Sequence, residues 1–269
     1  MMFTSHVLDQ LTREQLMIDI ASMPGGVDFD YARKRELRVI HALGIPAKVA
    51  PKTAGNIIAT AIIEELSQNK LKDGWVCVDK KYIGFGLTGS FCTVDQVIPM
   101  INKIKSLGHT VIPIVSNNLQ SVDTRFGSSA HFLTEIKKRA EYKPVTSMVE
   151  AERLGPSTPL DALVIAPMTG TSLSKFSQGI SDSPVLFAAK VTLRNNKPVV
   201  LAVSTNDGLG QNGVNIMSLL KTKHIYFVPF TQDNPEAKPN SIVSEFSLIT
   251  PTLEQALVGN QLQPVLHQK

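Results

Sequence analysis

Cysteine is nearly absent from this 269-residue chain: only Cys77 and Cys92 occur, and they are not in a C-x-x-C arrangement. A multi-bridge disulfide framework is excluded, and a cysteine-based zinc site finds no support. One-sided charge is also lacking. The net charge is +4, with Lys and Arg scattered along the chain, whereas a nucleic-acid surface needs them clustered on one face or stripe. No apolar stretch approaches the ~20 residues needed to span a bilayer. The start, Met1 to His6, lacks the basic and apolar blocks of a signal peptide. The chain therefore reads as soluble and cytoplasmic. No G-x-S-x-G is present, so a serine-hydrolase elbow is not indicated. No histidine pair stands at metal-ligand spacing beside a carboxylate, so no metal site is expected.

What the sequence does contain is an alternation of apolar strand-like runs with helical periodicity. Leu16 to Ala21 reads as a short buried strand closed by Pro24-Gly25-Gly26. A helix over Asp28 to Arg35 and a strand over Arg38 to Ile40 follow. After the turn at Gly44-Ile45-Pro46, Thr53 to Leu66 reads as an apolar helix. This β-α-β-α order has too few strands for a whole nucleotide-binding domain, and it holds no G-x-G-x-x-G. The polar stretch Ser67 to Gly74 marks a boundary. Residues 1–70 are thus expected to form a partial Rossmann-type fragment, and residues 80–269 a second domain.

In that second domain the alternation is regular. Strands are expected at Tyr82 to Phe85, Thr110 to Val115, Leu163 to Ala166, Val199 to Val203 and Ile225 to Val228. Thr93-Val94-Asp95-Gln96 looks like a capping box opening a helix, with Pro99 kinking or delaying it and Gly108 ending it. Further helices are expected over Ser129 to Ala140, from Ser172, from Pro184, over Asn212 to Leu220, and from Thr250-Pro251 with proline at the first position. Strands alternating with helices imply an α/β fold with a doubly wound parallel sheet.

Two loops of glycine and hydroxyl residues follow apolar strands: Gly86-Leu87-Thr88-Gly89-Ser90 and Thr169-Gly170-Thr171-Ser172. A strand that ends in small residues and enters a helix presents free backbone N–H groups, which suit a phosphate. Ser116-Asn117 and Ser204-Thr205-Asn206-Asp207 end two other strands, and all four polar ends fall on one edge of a parallel sheet, where such folds bind ligands. Gly86, Thr88, Gly89, Ser90, Ser116, Asn117, Thr169, Gly170, Thr171, Ser172 and Ser204 are therefore the cofactor-binding candidates. Singly, each also serves as a helix cap or tight turn. Arg125, beside Phe126, is suited to bidentate carboxylate recognition, with a surface salt bridge as the alternative. Lys175 and Asn206 complete the substrate-binding candidates, although Lys175 at its spacing also suits a solvent-facing role. Cys92 lies near the first loop, as a reactive thiol or a small buried residue. No residue stands out as the catalytic acid, base or nucleophile.

From about Lys80 onward the chain resembles the flavoprotein family that includes flavin-dependent cysteine decarboxylases and flavin prenyltransferases. Gly86-Leu87-Thr88-Gly89-Ser90, Asp161 to Pro167 and Thr171 to Lys175 carry the likeness. Thr124 to Gly127, Ser181 to Leu186, Arg194 to Leu201 and Ser204 to Asp207 narrow it to members that take part in dipicolinate formation. Residues 18–26 and 49–55 resemble instead the closing part of the nicotinamide-binding partner of those members. That arrangement suits a natural fusion or a misjoined reading frame. The resemblance implies a Rossmann-like flavoprotein fold, an FMN pocket, and an oxidoreductase component in an oligomeric assembly. It implies a partner chain that supplies NAD(P). It further implies a small dicarboxylate substrate, a tetrahydrodipicolinate-type compound from the lysine pathway, used during sporulation. Two alternatives stand beside it: a flavin-dependent decarboxylase, and a binding component without chemistry. The decarboxylases' histidine pattern is not evident after Ser116-Asn117, and Thr169-Gly170-Thr171-Ser172 replaces their usual Ser-Ala-Asn-Thr, which argues against the first.

Overall fold

The computed structural model describes residues 3–12, 14–19, 26–41, 80–155 and 157–267. The strand end at 20–21, the turns at 24–25 and 44–46, the helix over 53–66, the boundary at 67–74 and Cys77 lie outside the described residues. The chain falls into two compact units, Met1–Cys77 and Val78–Lys269.

The described part of the first unit is a small β-α-β arrangement. It comprises α1 (Ser5–Leu8), β1 (Leu16–Asp19), α2 (Phe29–Lys34) and β2 (Arg38–His41). The strands pair in parallel, with Leu16 opposite Arg38. Asp28 caps α2 by accepting the Tyr31 N–H at 3.0 Å, which satisfies one of the helix's orphan donors. Asp19, at the end of β1, accepts the Gly26 and Val27 N–H groups at 2.8 and 3.1 Å. Leu8, Val27 and Ala32 are the buried core.

The second unit is built on five parallel strands: β3 (Tyr82–Leu87), β4 (Thr110–Val115), β5 (Ala162–Met168), β6 (Val199–Thr205) and β7 (Ile225–Phe227). They lie side by side as β4-β3-β5-β6-β7. This is the doubly wound order in which the chain reverses its direction of growth between its first and third strands. The strands are apolar almost without interruption, as expected where helices cover both faces. Successive residues still serve opposite sides. In β5, Ala162, Val164 and Ala166 face one core, and Leu163 and Ile165 the other.

One core is completed by α3 (Phe91–Val97), α4 (Met100–Ser106) and α11 (Ile249–Leu257), through residues such as Val94, Ile101, Ile104 and Leu253. The other is completed by α8 (Gly170–Ser177), α9 (Pro184–Arg194) and α10 (Gly213–Leu220), through Leu173, Phe176, Leu186, Ile216 and Leu219. Between β4 and β5 lie α5 (Asn117–Ser121), α6 (Ser129–Arg139) and α7 (Met148–Glu152). No helix among the described residues is long and apolar enough to cross a membrane.

The expected parallel α/β sheet is present, and so is the interruption at Pro99, which separates α3 from α4. Three local expectations differ. Thr93 does not open a helix: α3 begins at Phe91, and the Thr93 hydroxyl donates back to the Ser90 carbonyl at 3.0 Å from inside the first turn. Pro251 is the third residue of α11, where its missing N–H still costs nothing. The strand at 225–228 is not the last. An antiparallel hairpin follows, β8 (Phe230–Asn234) and β9 (Lys238–Ser244), and β9 pairs with the end of β6 through Ser204–Val243 and Thr205–Ile242.

Candidate functional site

A cleft of about 1120 Å³ opens at the carboxyl ends of β3, β5 and β6. It spans the point where the strand order reverses, the usual ligand position in open α/β sheets. The hairpin forms its outer wall through Asp233, Lys238, Ser241, Ile242 and Val243, and the loop carrying Arg125 and Phe126 adds another side.

The first loop is less a phosphate cradle than a tie. Gly84-Phe85-Gly86-Leu87-Thr88-Gly89 spells G-x-G-x-x-G, yet Gly84 and Gly86 lie inside β3. A Cβ at Gly84 would meet Leu160 and Leu163 at 2.6 and 2.8 Å, and one at Gly86 would meet Val185 at 2.8 Å. These glycines serve close packing beneath the site. Thr88 is buried, and its hydroxyl donates to the Pro167 carbonyl at 2.6 Å while accepting the Thr169 N–H at 3.1 Å. Its hydrogen-bonding capacity joins the two loops. Gly89 and Ser90 do border the cleft. The Ser90 hydroxyl lies 3.0 Å from that of Ser204 and accepts from Thr93 at 3.1 Å, so a row of hydroxyls links the end of β3 to the end of β6.

In the second loop, Thr169, Gly170 and Thr171 border the cleft. Helix α8 starts at Gly170, two residues before the expected Ser172. Thr169 is its cap: it accepts the Ser172 N–H at 3.3 Å and donates to the Ser172 hydroxyl at 2.9 Å. Ser172 is thus part of the cap and does not line the cleft. A Cβ on Gly170 would collide with the Thr205 hydroxyl and stand 2.9 Å from an Asp207 carboxylate oxygen. A negative charge therefore already sits against the positive end of α8.

Asp207 is the most elaborately held residue of the site. It accepts from the Thr205 hydroxyl at 2.5 Å and from the Asn212 amide at 2.9 Å on each oxygen. The Thr205 hydrogen bond, outweighing partial burial and helped by Asn212, holds its carboxyl below the usual value. Asn212 accepts in turn from Asn215 at 3.0 Å, and Asn215 from Ser177 at 2.7 Å.

The three substrate-binding candidates, Arg125, Lys175 and Asn206, all border the cleft. Lys175 is paired with Asp182 at 2.6 Å. Arg125 lies 4.8 Å over the Phe126 ring and has no ion-pair partner among the described residues, so the salt-bridge alternative is not what the structure shows. Lys238 pairs with Asp233 at 2.6 Å, and that contact raises its pKa above the ordinary lysine value. Ser116 and Asn117 are not in the lining. Ser116 is buried beside the first loop, its N–H bonded to the Leu87 carbonyl at 3.0 Å and its hydroxyl without a partner. Asn117 is exposed at the start of α5. Cys92 is exposed at the cleft, contrary to the buried alternative. No group of three or more metal-ligating side chains occurs among the described residues.

Sequence reasoning passed over Asp207 as a routine cap residue, and it missed Asn212, Asn215 and the whole hairpin wall. The spacing Thr205-x-Asp207 with Asn212 five residues on was a readable signal for a loop closed on its own carboxylate.

The sheet order, the cleft at its switch point and the hydroxyl-rich strand ends define a ligand-binding protein of the doubly wound α/β class. The flavoprotein family model matches residues 76–245, and the chain belongs to that family. Within it, the chain is 52% identical over 186 residues to the B-type subunit of dipicolinate synthase from Bacillus subtilis (strain 168), covering 69% of this chain and 93% of that protein. The crystal structure of the B-type subunit of dipicolinate synthase from Bacillus halodurans C superposes with a TM-score of 0.65 at 54% identity, over 70% of this chain and 97% of that one. A separate stretch of 74 residues is 40% identical to the A-type subunit of dipicolinate synthase from Bacillus subtilis (strain 168). It covers 28% of this chain and spans only 25% of that relative.

Proposed function

We propose that the cleft binds FMN and that the chain takes part in dipicolinate formation during sporulation. The precursor is a tetrahydrodipicolinate-type dicarboxylate from the lysine pathway, and the partner is a nicotinamide-binding chain similar to the A-type subunit of dipicolinate synthase. The observation that supports this most directly is a switch-point cleft in a chain 52% identical to the B-type subunit of that enzyme.

The residues present suit a flavin. The cleft exceeds the ~300–1,000 Å³ typical of small-molecule pockets, so a cofactor and a small acid fit together. Ser90, Thr171, Ser204 and Asn206 offer hydroxyl and amide groups to a polyhydroxylated chain and a polar ring. Asp207 and the Thr169 cap occupy the start of α8, so the anionic end belongs on the Gly89–Ser90 side. A bound flavin supplies redox chemistry. The protein's own contribution is to orient the acid: Arg125, stacked on Phe126 and free of any carboxylate, meets one acid group as a bidentate donor.

Two measurements test this reading. The purified chain should show a visible flavin band that saturates on adding FMN. With the full-length A-type partner present, dipicolinate should form faster than with that partner alone, and Arg125→Ala should remove the gain while the flavin band remains. Absence of flavin at every concentration, or equal rates with and without the chain, would sink the proposal and leave a docking role.

A further inference from the structure

We propose that Asp207 receives a proton-bearing ring nitrogen of the substrate, so that the cleft selects a cationic amino or imino dicarboxylate over its unprotonated aromatic counterpart. This rests on the dicarboxylate reading above and adds the residue that meets the ring nitrogen and discriminates by its protonation.

Charge in the cleft is unevenly compensated. Lys175 is neutralised by Asp182, and Lys238 by Asp233. That leaves one cation, Arg125, and one anion, Asp207, without an ion-pair partner among the described residues. Asp207 has no counter-ion among the described residues, yet three side-chain hydrogen bonds and the positive end of α8 keep it ionised. Its donors all point the same way: Ser177 donates to Asn215, Asn215 to Asn212, and Asn212 and Thr205 to Asp207. A chain that ends only in donors fixes its last member as a pure acceptor.

Lone-pair accounting then leaves room for a ligand. An ionised carboxylate offers about four acceptor sites. Thr205 and Asn212 fill two on Oδ1, and Asn212 fills one on Oδ2. The remaining site on Oδ2 belongs to a side chain that borders the cleft. A free cation and a free anion in one cleft complement a molecule with a carboxylate and a protonated nitrogen. Once that ring becomes a pyridine, its nitrogen carries a lone pair instead of a proton. Facing Asp207, that lone pair is repelled, so the same contact that admits the reduced ring helps to expel the aromatic one.

The experiment compares two probes with the same pair of carboxylates on the full-length chain saturated with FMN at neutral pH: cis-piperidine-2,6-dicarboxylate, whose ring nitrogen is protonated, and pyridine-2,6-dicarboxylate. Wild type should bind the piperidine at least about tenfold more tightly by calorimetric titration. Asp207→Asn should bring that ratio close to one by weakening the piperidine, and Thr205→Ala should lower it partway. Arg125→Ala should weaken both probes alike. The flavin band of each variant reports its fold independently. A wild-type preference for the pyridine, or an unchanged ratio in Asp207→Asn with its flavin band intact, overturns the inference alone. Failure of wild type to bind either probe overturns it together with the dicarboxylate reading.

Discussion

Ser90 and Ser204, 114 positions apart in sequence, bring their hydroxyls within 3.0 Å across the floor of the cleft. Ser90 precedes α3 in the loop that follows β3, and Ser204 lies near the end of β6, so this contact measures how closely the first loop and β6 are held at the site. Thr93 joins both, donating to Ser90 at 3.1 Å with Ser204 at 3.4 Å. Removing one hydroxyl should cost about 1 kcal/mol. Because Ser90→Ala and Ser204→Ala remove the same bond, the double variant should cost less than the sum of the singles. Urea unfolding of the four proteins measures the difference; strict additivity would mean the hydroxyls do not interact.

Thr88 is a structural residue at a position where sequence suggests a ligand contact. Its hydroxyl is the shared partner of the Pro167 carbonyl and the Thr169 N–H. Thr88→Val keeps the shape and leaves the Pro167 carbonyl without this partner in a buried setting and the Thr169 N–H without it in a partly buried one. At about 1–3 kcal/mol for an unsatisfied buried group, the loss should reach at least ~2 kcal/mol. Thr88→Ser, which keeps the hydroxyl, should lose well under half of that. If valine proves neutral in denaturant unfolding, the loops are held together by something else.

Gly170 lies where no other side chain fits. A Cβ there meets Thr205, the Asn212 amide nitrogen at 2.8 Å and Asp207 at 2.9 Å, all members of one hydrogen-bond network. Gly170→Ala gains up to ~1 kcal/mol of helix propensity, but crowding of this kind costs ~1–3 kcal/mol, and the network has little slack. A net loss of stability is expected, together with weaker flavin binding. Gly210→Ala, whose Cβ meets nothing closer than 3.5 Å, is the control and should stay within ~0.5 kcal/mol of wild type.

These residues mark how far the sequence carried the fold and the site. The five parallel strands were legible because each is a short apolar run bounded by turn residues, and Pro99 betrayed its own break between α3 and α4. The hairpin was not legible. Phe230-Thr231-Gln232-Asp233-Asn234 and Lys238-Pro239-Asn240-Ser241 show neither alternation nor an apolar run, since only Phe230 and Ser241 among them are buried and the two segments pair mostly with each other. Thr93 matched a capping box because the pattern Thr-x-x-Gln is local, whereas the start of α3 at Phe91 is set by where the first loop leaves the sheet. At the site, the strand ends could be placed on one edge from alternation alone. Which hydroxyls face the ligand could not, because Thr88, Ser90, Thr169 and Ser172 are alike in sequence and differ only in their partners across the fold.

Asp207 gives a pH signature that separates its network from the rest of the protein. Its folded-state carboxyl is held below the ordinary aspartate value of 3.8, chiefly by the Thr205 hydroxyl. A carboxylate with a depressed folded pKa contributes stability above its unfolded value, and the contribution disappears as pH falls through the lower folded value. The stability difference between wild type and Asp207→Asn should therefore be constant at neutral pH and should shrink once the pH drops below 3.8. Thr205→Ala should move the Asp207 carboxyl midpoint upward, toward the unfolded value, in a carbon-detected NMR titration. A midpoint at or above 3.8 in the wild-type protein would mean that the donors around Asp207 do not favour its charged form.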